Sequence, residues 1–172
     1  MINPIITLLL LSSPLVAFYL YSKVTVKPLL LGRVACWGLG MAFSFFFMGH
    51  FVKTAGMVEM LPVWVPFRLE LVYLTGLLEL AIAIALFIPK TQVRAAKIAI
   101  VVLVLFFPVN IYSAINAIGL GGHQWGPVYL FVRAPLQIIL VSWAYFLCVK
   151  GHHKVLDLKP WFQRKQEIRV GV

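Results

Sequence analysis

The sequence predicts an all-α fold: a polytopic transmembrane bundle with a four-helix core plus one extra N-terminal helix, five spans in total. Three observations carry this. Of 172 residues, 62% are hydrophobic and only 12% are charged, with a mean hydropathy of +0.98. Soluble domains run nearer half apolar, with about a quarter charged. The apolar residues gather in five runs, Pro4–Tyr21, Leu29–Met48, Leu69–Ile88, Ile98–Ile118 and Val128–Val149, each about 18–22 residues long. A helix needs about 20 residues to cross the hydrocarbon. None of the runs alternates as a barrel strand would, which leaves the α-helix as the spanning structure that satisfies its own backbone in lipid. The expected organisation is an N-terminal helix and basic connection over 1–28, a four-helix bundle over 29–149, and a basic tail over 150–172.

The first run is interrupted by Ser12, Ser13 and Pro14. It has no basic n-region and no small-x-small cleavage site, so it reads as a retained helix rather than a signal peptide. The second carries Gly32, Cys36, Gly40 and Ser44 at every fourth position, a small-residue stripe that lets a neighbouring backbone approach. In the third, Gly76 and Ala83 share a face with Glu79 and leave room around it. Between these runs, MVEMLPVWVP at Met57–Pro66 is too apolar for a free loop and too short to span. With Pro62 and Pro66 breaking any helix, an interfacial or re-entrant cap is expected, with Trp64 at headgroup depth. The fourth run contains Pro108 and Asn110, and the fifth Arg133, Pro135 and Gln137; the connection between them, GLGGHQWGP at Gly119–Pro127, is a turn-rich loop.

Charge sets the orientation. Lys23, Lys27 and Arg33 occupy the first connection, Lys90, Arg94 and Lys97 the third, and Lys150, Lys154, Lys159, Arg164, Lys165 and Arg169 the tail. Lys53 and Arg68 in the second are offset by Glu59 and Glu70, and the fourth has no formal charge. With five spans all three basic segments fall on one side, so the N-terminus lies outside and the C-terminus in the cytoplasm. The net charge of +10 therefore reflects membrane topology. No nucleic-acid motif accompanies it, and nucleic acid is excluded as a partner. Leu156, Leu158, Trp161 and Phe162 punctuate the basic tail, which reads either as docking on the anionic inner leaflet or as a plain positive-inside tail. Cys36 and Cys148 are far apart and form no CxxC. They read as small apolar helix residues, with a redox pair as the alternative.

The chemistry gathers around isolated polar residues. Glu79 is the only charge between Glu70 and Lys90, and Arg133 the only one between Lys97 and Lys150. Charges inside a span are costly and persist when they pair, face a polar cavity or do work. Counting 1.5 Å per residue puts Glu79 and Gln137 at roughly 15 Å and Asn110 at about 12 Å below one surface. Arg133 lies a turn above Gln137, His50 closes the second span, and Ser113 shares a face with Asn110. Glu79 and Arg133 are expected to form an ion pair within about 4 Å. Pro108 and Pro135 free the carbonyls of Val104 and Phe131, for which Asn and Arg side chains are suitable donors. The group reads as an outward-open polar pocket for a ligand head or as a structural network bracing a kinked bundle. No spacing motif links His50 to His123, so haem or metal ligation is not expected. No nucleophile with its base, phosphate loop, HExxH or DxD occurs, so the chain is not expected to be an enzyme by itself.

Gly49–Phe51 (GHF), Met60–Pro66 (MLPVWVP), Tyr73–Leu80 (YLTGLLEL), Leu86–Ala96 (LFIPKTQVRAA), Phe107–Tyr112 (FPVNIY) and Arg133–Gln137 (RAPLQ) follow one another in order. Together they resemble the DoxX-like family of bacterial integral membrane proteins over about residues 29–149. The resemblance implies a four-helix bundle in the bacterial inner membrane. It also implies an association with quinol oxidase and thiosulfate:quinone chemistry, hence a quinone as ligand and a membrane redox subunit as partner. The vicinal cysteines of thiol-redox relatives are missing. The expected function is a small binding or accessory protein in the lipid bilayer, with a pocket for an amphipathic molecule such as a quinone. A non-catalytic subunit of a redox complex is the alternative, and a small transporter, suggested by proline-interrupted helices beside polar groups, is the next.

Overall fold

A computed structural model of the chain describes residues 2–25, 29–119 and 121–156. Six α-helices follow in order: α1 Ile2–Thr25, α2 Leu31–Val52, α3 Thr54–Met60, α4 Arg68–Phe87, α5 Gln92–Ile115 and α6 Leu130–Ser142. A 3-10 segment, His123–Tyr129, leads into α6, and a π-helical segment, Trp143–Lys150, continues it. Five of these units, all but α3, are long and apolar enough to cross a membrane. The protein is a multi-pass helical membrane protein, as its composition predicts.

Local chemistry explains where the helices run. α1 passes unbroken through Pro14, whose missing N–H leaves the Leu10 carbonyl without its helical donor; the Ser13 hydroxyl donates to that oxygen at 3.3 Å. α5 begins at Gln92 rather than Ile98. Arg94 and Lys97 mark the end of the apolar run in sequence, yet both are exposed on the first helical turns, where long cationic side chains reach the interface. The Gln92 amide is fully buried and donates to the carbonyls of Leu86 and Arg33, fixing the start of α5 against α4 and α2. Met57–Pro66 resolves into the short α3 followed by an irregular stretch. Val63, Trp64 and Phe67 on that stretch are largely exposed, a pattern suited to a cap at the membrane interface.

α2 is the central element, packed chiefly on α4 and α1 and also on the π-helical segment. Its small residues each serve a different neighbour. A Cβ on Gly38 would come within 2.0 Å of the Leu11 carbonyl oxygen of α1, and one on Gly32 within 2.3 Å of the His152 Cα. Gly40 faces Phe87 and Ala83 of α4. Small residues dominate one half of the bundle: Ala35, Ala83, Ala95, Ala96, Ala99 and Ala144 are buried with Leu39, Leu86 and Leu140 in one apolar core. Cys36 and Cys148 belong to that core, fully buried and unbridged.

The same end carries Arg33, Lys90, Arg94, Lys97, Lys150 and Lys154. There, Leu29–Leu30 and Val155–Leu156 form a two-residue antiparallel pair that ties the first connection to the start of the tail. Burial holds the His152 imidazole below its ordinary value, with His153 and Arg33 adding to the effect. Residues 157–172, with Leu158, Trp161 and Phe162, lie outside the described residues, as does any leaflet docking expected of them.

Candidate functional site

At the opposite end the bundle is not packed solid. A cavity of about 510 Å³ lies between the start of α1, the end of α2, α3, the first half of α4, the second half of α5 and the first turns of α6. It reaches from Lys53, Met57 and His123 in the connections down to Leu103 and Gln137, and Asn110 to Val102 spans about 12 Å of helix. Its volume is in the range of small-molecule sites, and its walls are mainly apolar, with a few convergent polar groups, as such sites are.

His50, Glu79, Asn110, Arg133 and Gln137 all line this cavity. The helical periodicity explains each placement. On α4, Val72, Thr75 and Glu79 recur at turns of one face. Tyr129 at the end of the 3-10 segment and Arg133 and Gln137 on α6 repeat every fourth residue, and on α5 Phe106 and Asn110 do the same. On α2, Phe46 and His50 form such a pair.

The pairing differs from the expected one. Glu79, only 5% exposed, has His50 as its partner, with Nδ1 3.1 Å from Oε2. Arg133 has no carboxylate within salt-bridge distance among the described residues. Its Nε donates to Asn110 Oδ1 at 3.1 Å. The reason is the order of helices. α4 packs most closely on α2, which carries His50, whereas α6 packs on α5, which carries Asn110. Glu79 and Arg133 are thus on different walls of one cavity. His50 Nδ1 is also 3.0 Å from the Phe46 carbonyl oxygen. A carbonyl oxygen only accepts, so Nδ1 carries the proton and donates it to Phe46. Glu79 Oε2 makes no well-aligned hydrogen bond and keeps only this ionic approach.

The amide donors also reach other carbonyls than the proline positions suggest. Gln137 Nε2 donates to the Leu103 oxygen at 2.6 Å, and Asn110 Nδ2 to that of Phe106 at 2.9 Å. Leu103 faces the interior, whereas Val104 is 55% and Phe131 83% exposed. A donor on a facing helix can reach only the inward row of carbonyls. Ser113 does not line the cavity. It is buried and donates to the Ile118 carbonyl, closing the turn after α5 beside Gly119, whose φ is +85°.

Polar lining residues that sequence reasoning missed include Thr7 of α1, Thr75, His123 and Tyr129. Thr75 and Tyr129 each precede a recognised residue by four, so the helical spacing already marked them. His123 follows a glycine-rich turn, and only the fold brings its buried ring edge-on to Tyr129, with centroids 4.8 Å apart. Among the described residues no three His, Cys, Asp or Glu side chains cluster as metal ligands do; His50 and Glu79 form a two-membered set.

Residues 39–148 match the sequence model of a family described as a domain of unknown function (DUF8561), which covers most of the helices that build the cavity. No curated protein and no solved structure matches the chain.

Proposed function

The chain belongs to the family described as a domain of unknown function (DUF8561), which assigns no activity, and we propose from its own geometry that it is a small membrane binding or accessory protein whose cavity holds an amphipathic molecule. The observation that carries this reading is convergence: five polar side chains from α2, α4, α5 and α6 meet on one cavity, while the other half of the bundle is closed by small residues. A scaffold needing only to neutralise Glu79 would pair it with His50 and pack the remaining volume. The Phe, Met, Leu and Val side chains on the walls suit an apolar body, and the polar groups suit a head. The ordered likeness to DoxX-like proteins supports a quinone as one such molecule, since ring carbonyls accept hydrogen bonds from guanidinium and amide groups.

We orient the chain in the bacterial inner membrane with its N-terminus outside and its C-terminus in the cytoplasm. Support comes from Arg33, Lys90, Arg94, Lys97, Lys150 and Lys154 at one end, against Lys53 and Arg68 balanced by Glu59 and Glu70 at the other. The cavity then opens outward.

The test is the small molecules that accompany the protein through purification in mild detergent, identified by mass spectrometry. Glu79→Gln and Arg133→Met are expected to lower retention of one amphipathic species about tenfold or more, the size of a lost charge-assisted contact of 1.5–3 kcal/mol. Retention unchanged in both variants, with both folded, would end the proposal.

A further inference from the structure

The charges on the cavity wall do not balance. Among the described residues its one carboxylate, Glu79, is already approached by His50. Arg133 has a single hydrogen bond, from Nε to Asn110, and no carboxylate within 4 Å among the described residues. Lys53 lines the mouth, and no carboxylate stands within 4 Å of it among the described residues. Cations therefore outnumber anions at a site within a membrane span, where an uncompensated charge is costly.

The geometry at Arg133 is specific. With Nε held by Asn110, the two terminal amino groups of the guanidinium remain, and they form the end-on fork that grips two oxygens of one carboxylate or phosphate. Asn110 is itself anchored, its Nδ2 on the Phe106 carbonyl, so the fork is braced from behind. Below it, Leu103, Phe106 and Leu136 supply an apolar wall, with Phe46, Met57 and Leu71 on other sides of the cavity.

We propose that the cavity takes an amphipathic anion, a single-chain molecule whose carboxylate or phosphate head is gripped by Arg133 and whose hydrocarbon lies among these apolar side chains. This rests on the cavity reading above and narrows it from any amphipathic molecule to one with a negatively charged oxygen pair at its head. A fatty-acid carboxylate and a phosphate-headed lysolipid share that chemistry.

The test uses the full chain in nanodiscs of zwitterionic lipid at pH 8, titrated calorimetrically with dodecanoate, dodecyl phosphate, dodecanol and a neutral quinone carrying a decyl chain. The wild type is expected to prefer dodecanoate or dodecyl phosphate over dodecanol by tenfold or more, and the tighter of the two names the head. Affinity is expected to rise about fourfold per added methylene where the chain is buried. Arg133→Gln is expected to bring the preference over dodecanol to within twofold, while Arg133→Lys, which keeps the charge, retains most of it. Circular dichroism identifies a variant that has failed to fold, and the lysine variant then carries the comparison. Equal binding of dodecanol and dodecanoate by the wild type, tighter binding of the quinone, or a full anion preference surviving in a folded Arg133→Gln chain would overturn the anion assignment and leave the cavity reading standing. Binding of none of the four probes would overturn both.

Discussion

Replacing His50 by Leu is expected to destabilise the bundle by about 3–4 kcal/mol, within the range seen when one partner of a buried charge pair is removed. Glu79 is 5% exposed, and among the described residues its one ion-pair partner is His50, with Nδ1 at 3.1 Å. Without the imidazole, the buried Oε2 atom, which has no hydrogen-bond partner among the described residues, also loses its ionic one. The same reasoning gives the compensating variant. Glu79→Gln in the His50→Leu background removes the stranded charge and is expected to recover about half or more of the loss. Thermal unfolding of the single and double variants in detergent measures both. A His50→Leu chain as stable as wild type would show that His50 does not support Glu79.

The second large effect is steric. Gly38→Val is expected to cost about 1–3 kcal/mol or more, the scale of overpacking in a well-filled interior. The Cβ would meet the Leu11 backbone oxygen at 2.0 Å, and backbone cannot rotate away as a side chain can. α1 must then move off α2. Because α1 contributes Asn3, Pro4 and Thr7 to the cavity wall, ligand retention is expected to fall with stability. Gly40→Ala is the control: its nearest contact is the tip of the Phe87 ring at 3.1 Å, which can shift. A thermal midpoint for Gly38→Val that matches Gly40→Ala would contradict the close α1–α2 approach.

The spans were legible in the sequence because a membrane imposes one length and one polarity on every crossing segment. Glu79, Asn110, Arg133, Gln137 and His50 stood out for the same reason: a polar residue in an apolar run has few explanations, and helical rise gives its depth. What the sequence did not carry is adjacency. Depth alone allowed Arg133 as the partner of Glu79, whereas the packing of α4 on α2 gives that role to His50. Ser113 shares the helical period of Asn110 but lies close enough to the end of α5 for its hydroxyl to serve the turn. The missing donors at Pro108 and Pro135 were readable, but whether a carbonyl faces a neighbouring helix or lipid depends on how each helix is rotated. Cys36 and Cys148, 112 positions apart by subtraction of their numbers, meet only because α2 packs on the π-helical segment.

The central claim is that the cavity holds a molecule, and native mass spectrometry of the protein released from detergent tests it most directly. Thr75 lines the cavity and is half-buried, whereas Ala81 on the same helix is exposed and lies outside it. The wild type and Ala81→Trp are expected to carry an adduct with the mass of an amphipathic small molecule. Thr75→Trp, whose ring fills the space, is expected to lose it while keeping its helical content. An adduct that persists in Thr75→Trp, or a wild-type protein that carries none, would contradict the account.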